Sequence, residues 1–212
     1  MSLQVESFEL FHIGTKLGTQ VNLDVLASKL KELLAKEGYA VSKDAGLTRP
    51  QLLAPIEVLG MRNDVRVEMN YVGFAVNAVG TSPPQVTKVF NDLPHFLTVL
   101  GYELDAAVQF YEAIATIIVT SDRKPADLLS EMVKWNVKGF DDLGELKITA
   151  LRTSLLNSEK KQFNIIIQPN PASPSSRFVL QLQYRTDKKE EIASFQESIN
   201  DRLTRFLSSV GS

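Results

Sequence analysis

Side chains able to shuttle a proton, attack a substrate or hold a metal are scarce in this chain. It has no cysteine, which removes thiolate nucleophiles, disulfides and cysteine-ligated zinc or iron–sulfur centres. Its histidines, His12 and His95, lie far apart, and neither has a second ligand at helical or hairpin spacing, so no metal site is expected. His12 stands between Phe11 and Ile13 in an apolar run. Acid–base work there needs a carboxylate or hydroxyl within hydrogen-bond reach, and the local sequence names none. It reads as a structural or surface histidine, and His95, directly after Pro94, as a residue at a helix break. The neighbours Asp141 and Asp142 are carboxylates suited to a hard cation. Calcium, however, takes about six to eight oxygens, and the flanking residues lack that pattern, so a solvated loop is expected. Glycines at 14, 18, 60, 73 and 80 serve turns, and none opens a phosphate-cradling loop before a helix. No catalytic residue and no cofactor is expected, and enzymatic activity is left open without a visible centre.

The elements that must position any functional side chain belong to an ordinary globular chain. Of 212 residues, 44% are hydrophobic and 23% charged, enough for one large core or two small ones. The net charge is −2, with lysines and arginines scattered. Counterion release from a nucleic-acid backbone needs clustered cations, so nonspecific nucleic-acid binding is disfavoured. The N-terminus lacks a charged segment followed by an apolar one, and no apolar run approaches the roughly 20 residues of a membrane helix. A soluble, cytoplasmic protein without a membrane partner is expected.

Val5–Leu17 alternates as a strand with a bulge at Leu10–Phe11. Asn22 caps a helix with Leu23, Leu26, Leu30, Leu33 and Leu34 on one side, stopped by Gly38. Gln51–Leu59, Val65–Tyr71 and Phe74–Val79 read as strands. Ser82 and Gln85 frame a capping box for a helix burying Val86, Val89, Phe90 and Leu93, which Pro94 should kink or break. The order then recurs: strand Val108–Thr120, helix Pro125–Lys138, strands Glu145–Leu156, Lys161–Gln168 and Arg177–Arg185. A last helix, boxed by Asp187 and Glu190, buries Ile192, Phe195, Ile199, Leu203, Phe206 and Val210. Val5 answers Val108, Asp24 answers Asp127, Gly38 and Tyr39 answer Gly139 and Phe140, and Phe74 answers Phe178, each pair a little over a hundred positions apart. The expected fold is α+β, with two tandem β-α-β-β-β-α repeats, 1–104 and 105–212, forming one pseudo-symmetric unit with an antiparallel sheet and helices on one face.

That layout resembles the TATA-box-binding-protein family. "KLGTQVNLDVLASKLKELLAKEGYAV" is similar to its first strand and short helix. "VRVEMNYVGFAVNAVGTSPPQVTKVF" is similar to its hairpin and long helix, and "VLGYELDAAVQFYEAI" to its crossing into the second repeat. The resemblance implies a duplicated saddle. The family reads DNA with asparagines in the first strand of each repeat, paired phenylalanine wedges and flanking cations. Here Phe11-His12-Ile13 and Ala113-Ile114-Ala115 occupy the asparagine strands, and Leu52 and Leu53 stand where a wedge is expected. The resemblance therefore implies the fold without minor-groove reading.

Recognition chemistry is left to the sheet. By strand alternation, Phe178, Leu180, Leu182 and Tyr184 face the helices, while Arg177, Val179, Gln181, Gln183 and Arg185 face away. The same split turns Arg66, Glu68 and Asn70 outward, joined by Asn77, and in the neighbouring strand Asn164, Ile166 and Gln168. Such a face is either solvated or a binding platform, because amides and guanidinium groups make directional contacts. The binding residues read from it are Arg66, Glu68, Asn70, Asn77, Asn164, Gln181, Gln183 and Arg185. Trp135 reads as a core or interface anchor, and "PASP" at 171–174 has the minimal polyproline-recognition spacing. The Pro169–Ser176 insert is expected as a mobile surface loop with polyproline-like geometry. The leading expectation is a non-enzymatic binding or scaffolding domain acting on a protein through this face. The alternatives are a small-molecule binder or enzyme with a pocket between the repeats, and nucleic-acid binding by fold analogy. Exposed edge strands leave room for a homodimer.

Overall fold

Phe11, Ile13, Thr15 and Leu17 alternate with His12, Gly14 and Lys16, and a strand with one apolar edge needs a layer to cover that edge. The computed structural model describes residues 3–41, 56–132, 150–158 and 161–211, and in it this segment is β1 (Leu3–Leu17), with Phe11, Ile13 and Leu17 buried. Helix α1 (Leu23–Lys36) lays Leu26, Leu30 and Leu34 onto the core. Asn22 Oδ1 accepts from the Val25 N–H at 3.2 Å, capping its start. Gly38, at φ +82°, ends it in the left-handed conformation that favours glycine.

Strands β2 (Ile56–Arg62), β3 (Val65–Asn70) and β4 (Ala75–Gly80) form an antiparallel meander. Asn63 and Asp64 both have positive φ, as a two-residue hairpin turn demands. Then come α2 (Pro83–Val99), α3 (Leu104–Ala107), β5 (Val108–Ser121), α4 (Pro125–Met132), β6 (Leu151–Ser158), β7 (Lys161–Pro169), β8 (Arg177–Thr186), α5 (Lys189–Glu197) and α6 (Ile199–Gly211). The eight strands make one sheet in the order β2-β3-β4-β1-β5-β8-β7-β6, with antiparallel neighbours throughout. The fold is therefore α+β, and its core joins one face of the sheet (Met69, Val76, Ile117, Leu180) to the helices (Leu30, Phe90, Ile192, Phe195).

Several local expectations are corrected. The irregularities in β1 lie at Val5/Ser7, Phe8/Leu10 and Lys16/Leu17, the second of them one step before the expected bulge. Helix α2 runs through Pro94 unbroken, held by the buried Leu93, Phe96 and Leu97, and the Thr98 hydroxyl donates to the Pro94 carbonyl at 3.0 Å. His95 is consequently an exposed residue within α2 and marks no break. Ser82 makes no side-chain cap bond; Pro84 removes one of the two amide protons, at the second helical position, that a cap can meet. The box expected from Asp187 and Glu190 is replaced by a neighbouring arrangement. Thr186 Oγ1 donates to Glu191 at 2.8 Å and accepts from the Lys188 N–H at 3.2 Å. The last helix divides at Ser198, whose hydroxyl donates to the Ser194 carbonyl at 2.7 Å and accepts from Arg202 at 2.8 Å. Leu207 is buried beyond the half-buried Phe206, and the Val210 side chain lies outside the described residues.

The 169–176 insert also differs from expectation. Pro169 still pairs with Phe178 in the β7–β8 ladder. Beyond it, successive hydrogen-bonded turns replace polyproline geometry: Asn170 Oδ1 accepts from the Ala172 N–H at 2.8 Å, and the Asn170 carbonyl accepts from Ser173 at 3.0 Å. Residues 51–55, 133–138 and 145–149 of the expected elements lie outside the described residues, as do Leu52, Leu53, Trp135, Gly139, Phe140, Asp141 and Asp142. No helix among the described residues is long and apolar enough to cross a membrane.

On the helix side, two carboxylates tie strands to helices. Glu191 accepts from Lys161 at 2.5 Å, Tyr184 Oη at 2.9 Å and Thr186. Those donors, Lys161 first, hold its pKa down at about 2. Glu57 accepts from Lys31 and from Tyr71 Oη.

Candidate binding face of the sheet

Because side chains alternate, the sheet register dictates which residues share the face away from the core. One row crosses all eight strands through matched partners: Met61, Arg66, Val79, His12, Ile114, Gln183, Asn164 and Ser154. The next row runs Val58, Glu68, Asn77, Gly14, Glu112, Arg185 and Gln162. Across the centre of the first row polar and apolar residues alternate (Arg66, Val79, His12, Ile114, Gln183). The second row carries no apolar side chain from Glu68 to Gln162, and Val58 and Met61 are exposed at the β2 edge.

The half of the face built by β5–β8 is wired together. Asn164 Oδ1 accepts from Ser154 Oγ at 2.7 Å and from Gln162 Nε2 at 3.1 Å. Asn164 Nδ2 donates to Gln183 Oε1 at 2.8 Å, and Gln183 Nε2 donates to Glu112 Oε1 at 2.9 Å. Arg185 closes on the same oxygen through Nη2 at 2.9 Å and Nε at 3.2 Å, with its guanidinium 4.3 Å from the centre of the Phe110 ring. Each amide is thus fixed in orientation by its neighbours, and Glu112 ends the chain as an acceptor of three hydrogen bonds. In the β2–β4 half, Arg66 Nε pairs with Glu68 at 2.9 Å.

Between these halves lies the centre of the face. Gly14 is opposite Asn77 on one side and Glu112 on the other. His12 Nε2 and Asn77 Oδ1 are sealed from solvent and have no partner besides each other. Burial holds the His12 pKa below its ordinary value, opposed by its hydrogen bond with the Asn77 side chain and by the charges of Glu112 and Glu68. The imidazole is accordingly neutral near pH 7.

The eight residues read from sequence share this face but differ in role. Asn164, Gln183 and Arg185 belong to the wired half; Arg66, Glu68 and Asn77 to the other. Gln181 lies one row away, opposite Thr116 and Ile166. Asn70 is engaged locally, its Oδ1 accepting from the Gly73 N–H at 2.6 Å to hold the β3–β4 turn. Sequence reasoning missed Glu112, Gln162, Ser154 and the Gly14–His12 pair. The signal for Glu112 was a lone carboxylate in the otherwise apolar "YEAIATIIV". Among the described residues no group of three or more metal-ligating side chains meets. Beneath α6 a cleft is lined by Leu3, Val119, Ile167, Phe178, Leu180, Phe206 and Leu207, none of which bears a polar group to orient a ligand.

No protein-family model matches this sequence, and no curated protein sequence matches it significantly. Among solved structures the chain is similar to Methanococcus jannaschii TBP, with 15% identity, 100% of this chain and 99% of that chain covered, and a TM-score of 0.36, a likeness from which no residue role is transferred.

Proposed function

We propose that the chain is a non-enzymatic binding domain of the cytoplasm that engages a protein partner through the polar outer face of its sheet. The observation that carries this reading is the wired row Asn164–Gln183–Glu112–Arg185. Groups already held in one orientation lose little freedom on binding, so their hydrogen bonds go into affinity and specificity. We further read the chain as two β-α-β-β-β-α repeats, 1–104 and 105–212. Exchanging β1–β4 for β5–β8 reproduces the strand order read backwards, as a two-fold between β1 and β5 requires. Against nucleic acid, Arg66 and Arg185 on this face are each paired with a carboxylate, leaving less charge for phosphates.

The test is affinity capture from native cell extract with the wild type and with the triple variant Arg66→Ala, Gln181→Ala, Gln183→Ala. Capture should be lost while circular dichroism stays unchanged. Undiminished capture by the folded variant would remove the sheet face as the site. A gel-shift series over salt concentration is expected to show no complex with duplex DNA.

A further inference from the structure

Not every apolar side chain of the sheet belongs to the core. Ile118 is only 8% exposed, yet it stands outside the cluster packed between sheet and helices. By register it lies on the outer face, as do Leu10, Ile114, Ile166 and Val179, which are half-buried and likewise apart from the core. An ion pair accounts for the burial of Ile118. Arg177 of β8 donates to Glu6 of β1 at 2.7 Å, although β5 lies between those strands. The two backbones are therefore about 10 Å apart, and the pair must arch over β5. The register puts the crossing at Thr120 and Ile118, on the outer side.

This arch borders an apolar strip on one side, and the wired row through Gln183 borders it on the other. Arg177 and Gln183 are six residues apart in β8, or about 20 Å. Between the borders one row crosses five strands: Leu10, Thr116, Gln181, Ile166 and Arg152. Ile114 and Val179 flank it. The two ends of the row differ in charge. Glu9, exposed beside Leu10, accepts from Ser7 Oγ at 2.9 Å and is paired with no cation among the described residues. Arg152, exposed on the β6 edge, has neither a hydrogen bond nor an ion pair among the described residues. Arg177 and Arg185, by contrast, are each held by a carboxylate.

We propose that this strip docks one amphipathic helix of a protein partner, lying across the strands with a carboxylate on Arg152 and a cation beside Glu9. This rests on the reading of the outer face as a binding surface and specifies the chemistry of its partner. Width selects a helix. With its side chains a helix is about 10–12 Å across and fits between the two borders. Its apolar stripe then meets Ile114, Ile166 and Val179 together. An extended strand covers only about 5 Å and would leave part of the strip wet. Length follows from the row, since four strand spacings are about 19 Å, or about 13 residues of helix. Charge sets the polarity. One unpaired arginine opposed by Glu9 suits a helix of mixed charge, whereas a nucleic-acid backbone needs several cations together.

The experiment selects binders on the full chain from a phage-displayed library of helical peptides of about 18 residues with randomised faces. Their affinities are then measured by fluorescence polarisation. Recovered peptides should share an apolar stripe with Asp or Glu at one end and Lys or Arg at the other. Ile166→Lys places a charge in the strip and should weaken them by about tenfold or more. Arg152→Glu, on an exposed edge where it leaves the fold intact, should weaken them severalfold. Exchanging the peptide's end carboxylate for lysine should restore binding to that variant and not to wild type. Recovery of no binder, or of binders indifferent to Arg152→Glu and to folded Ile166→Lys, overturns the helix site. Displacement of the binders by duplex DNA overturns it in favour of nucleic acid. Capture from extract that is lost in the triple variant but retained in both of these variants also overturns it, while the sheet-face reading stands. Capture retained in the triple variant removes that reading itself, so the two fail separately.

Discussion

Replacing Glu112 with alanine tests whether the wired half of the face is a structural unit. The change removes the common acceptor of Gln183 and Arg185, at 2.9 Å each, and the further 3.2 Å contact from Arg185 Nε. Hydrogen bonds to charged groups contribute about 1.5–3 kcal/mol when buried, and exposed ion pairs about 0.2–1 kcal/mol. Side-chain exposures of 20% for Glu112 and 37% for Arg185 place the pair between these limits. Water can reach both stranded donors, Arg185 keeps Phe110, and Gln183 keeps Asn164, so the net loss is about 1–2 kcal/mol. For a chain of this length that lowers Tm by roughly 2–8 °C. Glu112→Gln keeps an acceptor without the charge and should fall between wild type and Glu112→Ala. The assay is thermal unfolding of all three proteins, with Arg185→Ala and the double variant completing a cycle whose coupling should be about 1 kcal/mol. The same substitution withdraws a negative charge that raises the His12 pKa, so an NMR titration of His12 should show the value fall further. Loss of less than about 0.5 kcal/mol with zero coupling would refute the claim that these residues hold one another in place.

Acid should expose the helix-side clamp on Glu191. Its folded pKa, about 2 against an ordinary 4.5, means that the stability it adds is present above pH 4.5 and is lost as pH falls toward 2. Glu191→Gln should therefore melt below wild type at neutral pH, with the gap closing at acid pH. A quarter of the side chain is exposed, so screening keeps the effect smaller than the pKa shift alone implies; a gap that is constant with pH would count against the clamp. Replacing Pro171–Ser175 by an Asn-Gly turn should shift Tm by less than about 2 °C, because the exposed turns bond mainly to themselves. A large drop in calorimetric Tm would show that the turns are packed.

Strand parity was the most legible feature of the sequence. One run, "RFVLQLQYR", sorts Gln183 and Arg185 outward and Leu180 and Leu182 inward, and the register agrees. Parity says which face a residue takes but not which strand lies next to it. Glu112 and Gln183 come together only through the β5–β8 pairing, made by residues 71 positions apart, so the network could not be read from either strand alone. Helix ends failed for a similar reason: the local signals at Ser82 and Asp187 were correct in type. Which hydroxyl finds an amide, however, depended on two adjacent prolines in one case and on Glu191 reaching back to Thr186 in the other. Pro94 shows tertiary packing overriding a local rule, since the burial of Leu93, Phe96 and Leu97 holds the helix on both sides of it.

The pairing of β1 with β5 has a kinetic consequence. It runs from Leu3↔Ser121 to Leu17↔Val108, joining segments about a hundred residues apart at the middle of the sheet. Neither central strand has its full complement of hydrogen bonds until that distance is closed, and closing it costs chain entropy before any ladder bond is returned. The β3–β4 and β7–β8 hairpins can form early from neighbouring residues. The seam must form late, which makes this a slow-folding topology for its size. During that interval β1 and β5 each present a long unpaired edge, and an edge of that kind pairs with whatever matching strand is at hand. A second chain at the same stage offers one. High protein concentration during refolding should consequently favour exchanged dimers, in which β1 of one chain lies against β5 of another.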